Sequence, residues 1–246
     1  MRKAEYTYAP DFFDFVDASS GKSASGFVAR LKFGFIPERV LDVGCGRGVW
    51  LRAWKDIGAV SVVGVDGDYV DRASLKIAGD EFIAANICEP FDLGQRFDFV
   101  QCLEVAEHVA ESCADILPSN LARHGEIVMF SSATPGQGGE HHVNEQPIDY
   151  WANKFRRLGF DAFDYPRRAV AGVREIEPWY RYNTLLYATR KGRERLADSV
   201  ESCLVAPAEA FREYASWGWR LRCALLRSFP EAAVHSLSRL KHRVMA

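Results

Sequence analysis

No C-x-x-C pair occurs among the six cysteines of this 246-residue chain, which removes the usual spacing of a zinc ribbon or a redox pair. Cys45, Cys88 and Cys102 fall in or beside apolar, strand-like segments, so all six cysteines are read as reduced core residues. Neither disulfides nor zinc are expected. No run approaches the roughly 18 apolar residues of a membrane span, and the opening MRKAEYTYAPDFFDF has no apolar stretch of signal-peptide length. A cytoplasmic location is the expectation. Excess charge is missing too: a formal net charge of -2 offers no general attraction to nucleic acid or to an anionic membrane. Internal repeats and low-complexity stretches are absent. What remains is ordinary for a globular protein, 48% hydrophobic and 26% charged, and long enough to bury a sizeable core.

Strand-like and helix-like segments alternate from about Phe35 to Thr189, the pattern of a mostly parallel sheet covered by helices. Strands are expected at Val40–Val43, Ser61–Val65, Glu81–Ala85, Phe97–Leu103, Gly125–Phe130, Asp161–Tyr165 and Asn183–Ala188. The last has no room for a crossover helix and should return antiparallel beside the strand before it. Helices are expected at Ser23–Lys32, Gly48–Ile57, Asp68–Ile77, Val105–Leu117 and Asp149–Leu158. After Lys191 the sheet pattern stops and the chain reads as helix, interrupted at Pro207 and Pro230. The division is a sheet domain over 1–190 and a helical extension over 191–246.

The stretch VLDVGCGRGVW ends the first strand with Gly44, Gly46 and Gly48, stripping side chains from the turn that follows. Such a turn opening a helix presents unpaired amides at the positive end of the helix dipole, which suits a carboxylate or a phosphate. A dinucleotide fingerprint needs a third glycine where Val49 stands. Asp42, two places before the first glycine, instead suits an ammonium group. A ligand with amine and carboxylate at one end is an amino acid, and S-adenosylmethionine is the cofactor that fits. Asp66 ends the second strand, where a carboxylate accepts from both ribose hydroxyls; a nicotinamide enzyme wants that acid too, so it does not discriminate. A ligand-free turn is the bland alternative.

Beyond the glycine loop, VVGVDGDYV, RFDFVQCLEVAEHV, TPGQGGEHHVNEQPIDYW, Gly159-Phe160 and WYRYN follow in order. With them the chain resembles the class I S-adenosylmethionine-dependent methyltransferases, from roughly Tyr6 to Arg190. The resemblance implies an α/β fold, a doubly wound, mostly parallel, seven-stranded Rossmann-like sheet with the cofactor over the carboxyl ends of the early strands. It also implies roles. Asp42 and the amides of Gly44, Cys45 and Gly46 would hold the methionine end, Asp66 the ribose, Gly67, Asn86 and Ile87 the adenine, and Leu103 the pocket near the sulfonium. Asn86-Ile87 departs from the family's Asp-Leu pair.

Methyl transfer needs little beyond alignment, but a hydroxyl acceptor must lose its proton. LEVAEHV places Glu104, Glu107 and His108 at i, i+3 and i+4, one face of a helical turn. The glycines of PGQGGEHHVNEQ allow a loop over the site that presents His141 and His142, of which His142 aligns with the family's histidine. Plain alternatives are a first turn with acids favoured by the dipole and an ordinary polar loop. Expected catalytic residues are His142, His108 and Glu107. The same E-x-x-E-H resembles the magnesium-type site of ubiquinone-pathway O-methyltransferases and small-RNA 2'-O-methyltransferases, with His142 as a fourth ligand. Magnesium prefers oxygen donors, so a histidine base is expected and no metal ligand is assigned.

The expected partner is a small-molecule or sugar acceptor, oxygen before nitrogen, and no nucleic acid. WYRYN (Trp179, Tyr180, Tyr182, Asn183) suits either packing or recognition of a sugar ring or planar acceptor. From Phe211 onward the tail is basic and amphipathic: Arg212, Arg220, Arg222, Arg227, Arg239, Lys241 and Arg243 face only Glu213 and Glu231. A cap on its own domain or a contact in a homodimer is expected, before a membrane surface.

Overall fold

The computed structural model describes residues 10–230 together with 233, 234, 236 and 238. In chain order the elements are α1 (Pro10–Val28), β1 (Arg39–Val43), α2 (Val49–Asp56), β2 (Ser61–Asp66), β3 (Phe82–Ala84), β4 (Phe99–Leu103), α3 (Ile116–His124) and β5 (Ile127–Ser131). There follow α4 (Ile148–Arg157), β6 (Phe160–Phe163), α5 (Tyr165–Val170), α6 (Pro178–Asn183), β7 (Leu185–Thr189), α7 (Arg190–Arg193), α8 (Asp198–Glu201), β8 (Leu204–Val205) and α9 (Trp217–Leu226). One sheet runs β3-β2-β1-β4-β5-β7-β6-β8. Its first five strands pair in parallel, and β7 slots antiparallel between β5 and β6. The strand order reverses between β1 and β4, where a doubly wound sheet opens a crevice at its carboxyl ends.

Both faces of the sheet are covered, so β4 and β5 are apolar nearly throughout and fully buried. On one face Phe33 packs against Phe99 at 5.1 Å and Trp54 against Phe99 at 4.9 Å between ring centres. On the other, Phe155 stacks on Tyr187 at 4.1 Å. The amphipathic α2 and α4 turn Trp50, Leu51 and Trp54, and Trp151 and Phe155, inward.

Four expectations are corrected. The sheet has eight strands, because β8 comes from the segment read as wholly helical and pairs antiparallel with β6. The helix expected over Asp68–Ile77 is reduced to a 3-10 turn at Arg72–Ser74: Asp71 caps it by accepting from Ala73 N at 3.0 Å, and Leu75 beyond is extended. The helix expected over Val105–Leu117 is two 3-10 turns, Ala106–His108 and Glu111–Cys113, separated by extended Val109. Cys88 and Cys113 are joined in a disulfide, contrary to the reading of six reduced thiols. Cys88 lies in a turn after β3 rather than in a strand, so it is not walled in by the sheet. That bond withdraws the cysteine argument for a reducing compartment. No described helix is long and apolar enough to cross a membrane. Within the tail, Glu231, Leu237, Arg239, Leu240, Lys241 and Arg243 lie outside the described residues.

Candidate active site

The turn after β1 is tightly wired. Gly44 N and Cys45 N donate to Val65 O at 2.7 and 3.2 Å, Gly46 N to Asp66 Oδ2 at 2.7 Å, and Gly48 N to Cys45 O at 2.9 Å. The expectation that the Gly44, Cys45 and Gly46 amides wait for a ligand's carboxylate is therefore corrected. They bind β2, because the parallel neighbour's carbonyl and Asp66 lie within reach of the turn. The glycines still serve close approach: Gly44 has φ 82°, and a Cβ there would stand 2.3 Å from Val105 Cγ2. A Cβ at Gly46 would meet nothing within 4 Å, so open space lies above the turn.

Asp42 and Asp66 are both buried, at 3% and 6% exposure. Burial, countered by the Gln101 side chain and reinforced by the charge of Asp66, pushes Asp42 up to about 7. Burial likewise raises Asp66, although Tyr69 Oη and the Gly46 and Gly67 amides donate to it at 2.5, 2.7 and 2.7 Å. Tyr69 lies across Gly67, where an added Cβ would stand 2.2 Å from its ring. Asn86 is engaged in its own turn: its Oδ1 accepts from Cys88 N at 3.0 Å and its Nδ2 donates to Glu89 Oε1 at 3.1 Å. Ile87 packs against the core, and Leu103 is buried at the end of β4.

The acid-histidine segment divides where one helical face was expected. Glu104 has φ 54°, and its carboxylate accepts from Gln137 Nε2 at 2.8 Å and Asn183 Nδ2 at 3.3 Å while staying near enough to feel Glu107 and His142. Glu107, His108 and His142 come together, with one ligand atom from each within 4.8 Å of the others. Glu107 is 1% exposed, and neither of its oxygens makes a well-formed hydrogen bond among the described residues, although the Ser132 hydroxyl and the Ala133 amide lie near enough to favour its charge. Burial first, then the neighbouring Glu104 carboxylate, holds its pKa well above the carboxylate range. Burial and the nearby His142 hold His108 well below the imidazole range, so it is neutral. The His108 and His142 rings meet edge to face at 4.8 Å.

Glu145, which stands inside the PGQGGEHHVNEQ motif but is not among the expected site residues, organises this corner. Gly136 N and Gly138 N each donate to it at 2.7 Å, and its Oε1 sits 2.8 Å from His142 Nδ1. Burial opposes the Glu145 charge, but the His142 bond and the two amides outweigh it and keep the carboxylate below its usual range. The loop glycines thus wrap a carboxylate, a role the residue pattern alone did not separate from mobility. His141 adopts φ 58° beside this arrangement and does not join the Glu107, His108 and His142 group. Above the loop lies α9, whose Arg222 Nη1 donates to Gln137 O, and Arg227 just past its end donates Nε–H to Pro135 O, both at 2.7 Å. WYRYN forms α6, with Tyr180, Tyr182 and Asn183 buried.

Residues 21–165 match a family model described as a methyltransferase domain. The chain belongs to that family. S-adenosylmethionine is therefore the cofactor against which this methyltransferase's site is tested. A ubiquinone biosynthesis O-methyltransferase of Bradyrhizobium diazoefficiens is 36% identical over 93 residues, 33% of this chain and 36% of that protein. The match thus spans only about a third of that relative's length. Among solved structures, Streptomyces venezuelae DesVI superposes with a TM-score of 0.55 at 12% identity, over 75% of this chain and all of that one. The O-methyltransferase NcsB1 from neocarzinostatin biosynthesis, solved with S-adenosylmethionine and 2-hydroxy-5-methyl naphthoic acid, superposes at 0.53 and 16%, over 72% of this methyltransferase and 56% of NcsB1. These likenesses confirm the fold.

The residues present fit the cofactor in two respects. Space stands open over Gly46, and the buried Asp42, uncomfortable as an anion, is the group an ammonium would relieve. Gly44, Cys45 and Gly46 contribute shape more than amide donors, and Asn86 keeps its side chain for its own turn.

Proposed function

We propose that this methyltransferase methylates oxygen, a hydroxyl of a small molecule or glycan precursor, with His142 as the general base. S-adenosylmethionine supplies an activated methyl sulfonium when bound. The observation that carries the reading is the 2.8 Å contact between His142 Nδ1 and Glu145 Oε1. A charged Glu145 accepts from Nδ1–H, which assigns the tautomer and leaves Nε2 as the proton acceptor. Nε2 projects over Gly139, only 2.0 Å from where a Cβ would begin. Neutral His108 beside it adds no competing charge. His142 would take the acceptor's hydroxyl proton, while S-adenosylmethionine, its ammonium held at Asp42, would supply the methyl group and leave as S-adenosylhomocysteine. The O-methyltransferase names of the relatives support oxygen over nitrogen. With an acceptor found by screening for S-adenosylhomocysteine release, His142→Ala should lower kcat by about 100-fold or more while calorimetry shows unchanged cofactor affinity. Full activity in that variant, or an N-methyl product, would overturn the reading.

One observation favours a second reading, a divalent cation on Glu107, His108 and His142. The buried Glu107 carboxylate, which makes no well-formed hydrogen bond among the described residues, is what such an ion would satisfy, and two imidazoles with one carboxylate suit a first-row transition ion better than magnesium. The ion would supply a lowered pKa for an acceptor oxygen. Activity that survives EDTA keeps the base reading. Loss on chelation, restored by a divalent ion and absent in Glu107→Gln, replaces it.

A further inference from the structure

A cleft of about 820 Å³ lies between α9 and the loops at the carboxyl end of the sheet, a volume typical of small-molecule sites. Asn183 lines it and connects it to the acid-histidine segment, donating to Glu104 Oε1 at 3.3 Å and Gln137 Oε1 at 2.7 Å. Its aromatic surface comes from both sides: Tyr182 of the sheet domain, and Phe211, Trp217 and Trp219 of the tail. Tyr182 and Trp219 already face each other at 6.2 Å between ring centres. Flat apolar rings are the ligand groups such walls accept.

Charge adds selectivity. Four arginines border the cleft, Arg167, Arg212, Arg220 and Arg227, against the carboxylates of Asp149 and Glu213. Arg167 is committed to Asp164, with contacts of 2.6 and 2.8 Å, and Arg227 Nε holds Pro135 O at 2.7 Å. Glu213 accepts from Ala215 N at 2.7 Å, and Asp149 sits in the first turn of α4, where the helix dipole favours its charge. Arg212 and Arg220 are exposed and supply the positive charge that an acid group in the cleft would meet.

We propose that this cleft is the acceptor subsite and that the acceptor is a ring-bearing organic anion, a carboxylate or a phosphate ester. The proposal rests on the methyltransferase reading of the adjoining site. It gives the tail a function: α9 forms one wall of the cleft, so the substrate is recognised by residues beyond the matched 21–165.

The test is calorimetric binding to the full chain with S-adenosylhomocysteine present, which keeps the probes out of the cofactor site. The probes are 2-naphthoate, 2-naphthyl phosphate and neutral 2-naphthol. At least one acid should bind about ten-fold tighter than naphthol, as a charge-assisted pair predicts. Naphthoate preference identifies a carboxylate acceptor and naphthyl phosphate preference a phosphate ester. Arg212→Ala with Arg220→Ala should abolish the preference without changing naphthol affinity, and Trp217→Ala should weaken all three probes. Equal binding of acids and naphthol, or a preference that survives the double variant, overturns the proposal. Failure of S-adenosylhomocysteine itself to bind would strike the cofactor reading instead, so the two failures are separable.

Discussion

Gly139→Ala is the sharpest test of His142. A Cβ at that position would stand 2.0 Å from Nε2 and 2.5 Å from Cδ2 and Cε1 of His142, where ordinary contact begins near 3.4 Å. The imidazole must therefore retreat by roughly 1 Å or more, enough to break the 2.8 Å bond to Glu145. The obstacle is the end of a side chain rather than backbone, so the fold yields easily and the base loses its aim. Stability should fall by no more than the net worth of one charged hydrogen bond, about 1.5–3 kcal/mol. Turnover should fall about 100-fold, the usual cost of misplacing a reacting group by about 1 Å. Measured together, kcat from S-adenosylhomocysteine release, cofactor affinity by calorimetry and stability by urea unfolding should show only the first strongly changed. A kcat within three-fold of the parent would refute the base role of His142, and a large stability loss would show that the loop cannot yield.

Asp42 holds a proton in the folded chain up to about pH 7, whereas an unfolded aspartate releases it near 3.8. The folded state therefore loses stability as pH rises between those values, by roughly 4 kcal/mol at most. Asp42→Asn should remove that slope in urea unfolding of the cofactor-free protein while weakening S-adenosylmethionine at least ten-fold; a variant with parental pH dependence and affinity would refute the assignment. Gly44→Ala must accept φ 82° and a methyl 2.3 Å from Val105, so unfolding should cost about 2–4 kcal/mol less, and an unchanged denaturation midpoint would contradict this. The Cys88–Cys113 disulfide closes a separation of 25 residues; reduction, or Cys88→Ser, should destabilise by about 3 kcal/mol, and insensitivity of the unfolding midpoint to reductant would show that the bond is not formed in solution.

What could be read from the sequence was whatever short-range chemistry dictates. Apolar runs of strand length marked β1, β2, β4 and β5, three glycines marked the turn after β1, and the absence of room for a crossover made β7 antiparallel. Glu107, His108 and His142 were likewise legible, because a motif carries its residue types in order. Glu104 was not legible in the same way: its left-handed backbone and its bond to Asn183, 79 residues away, follow from where β4, the 134–146 loop and α6 meet. The amides of Gly44 and Gly46 looked available because the local pattern shows no partner, while the partners, Val65 and Asp66, arrive with the neighbouring parallel strand. Cys88 and Cys113 became a pair, and the tail became a wall of the cleft, for the same reason. Local propensity is decided within a few residues, but hydrogen-bond partners, charge environments and cavities belong to segments that only the packed sheet brings together.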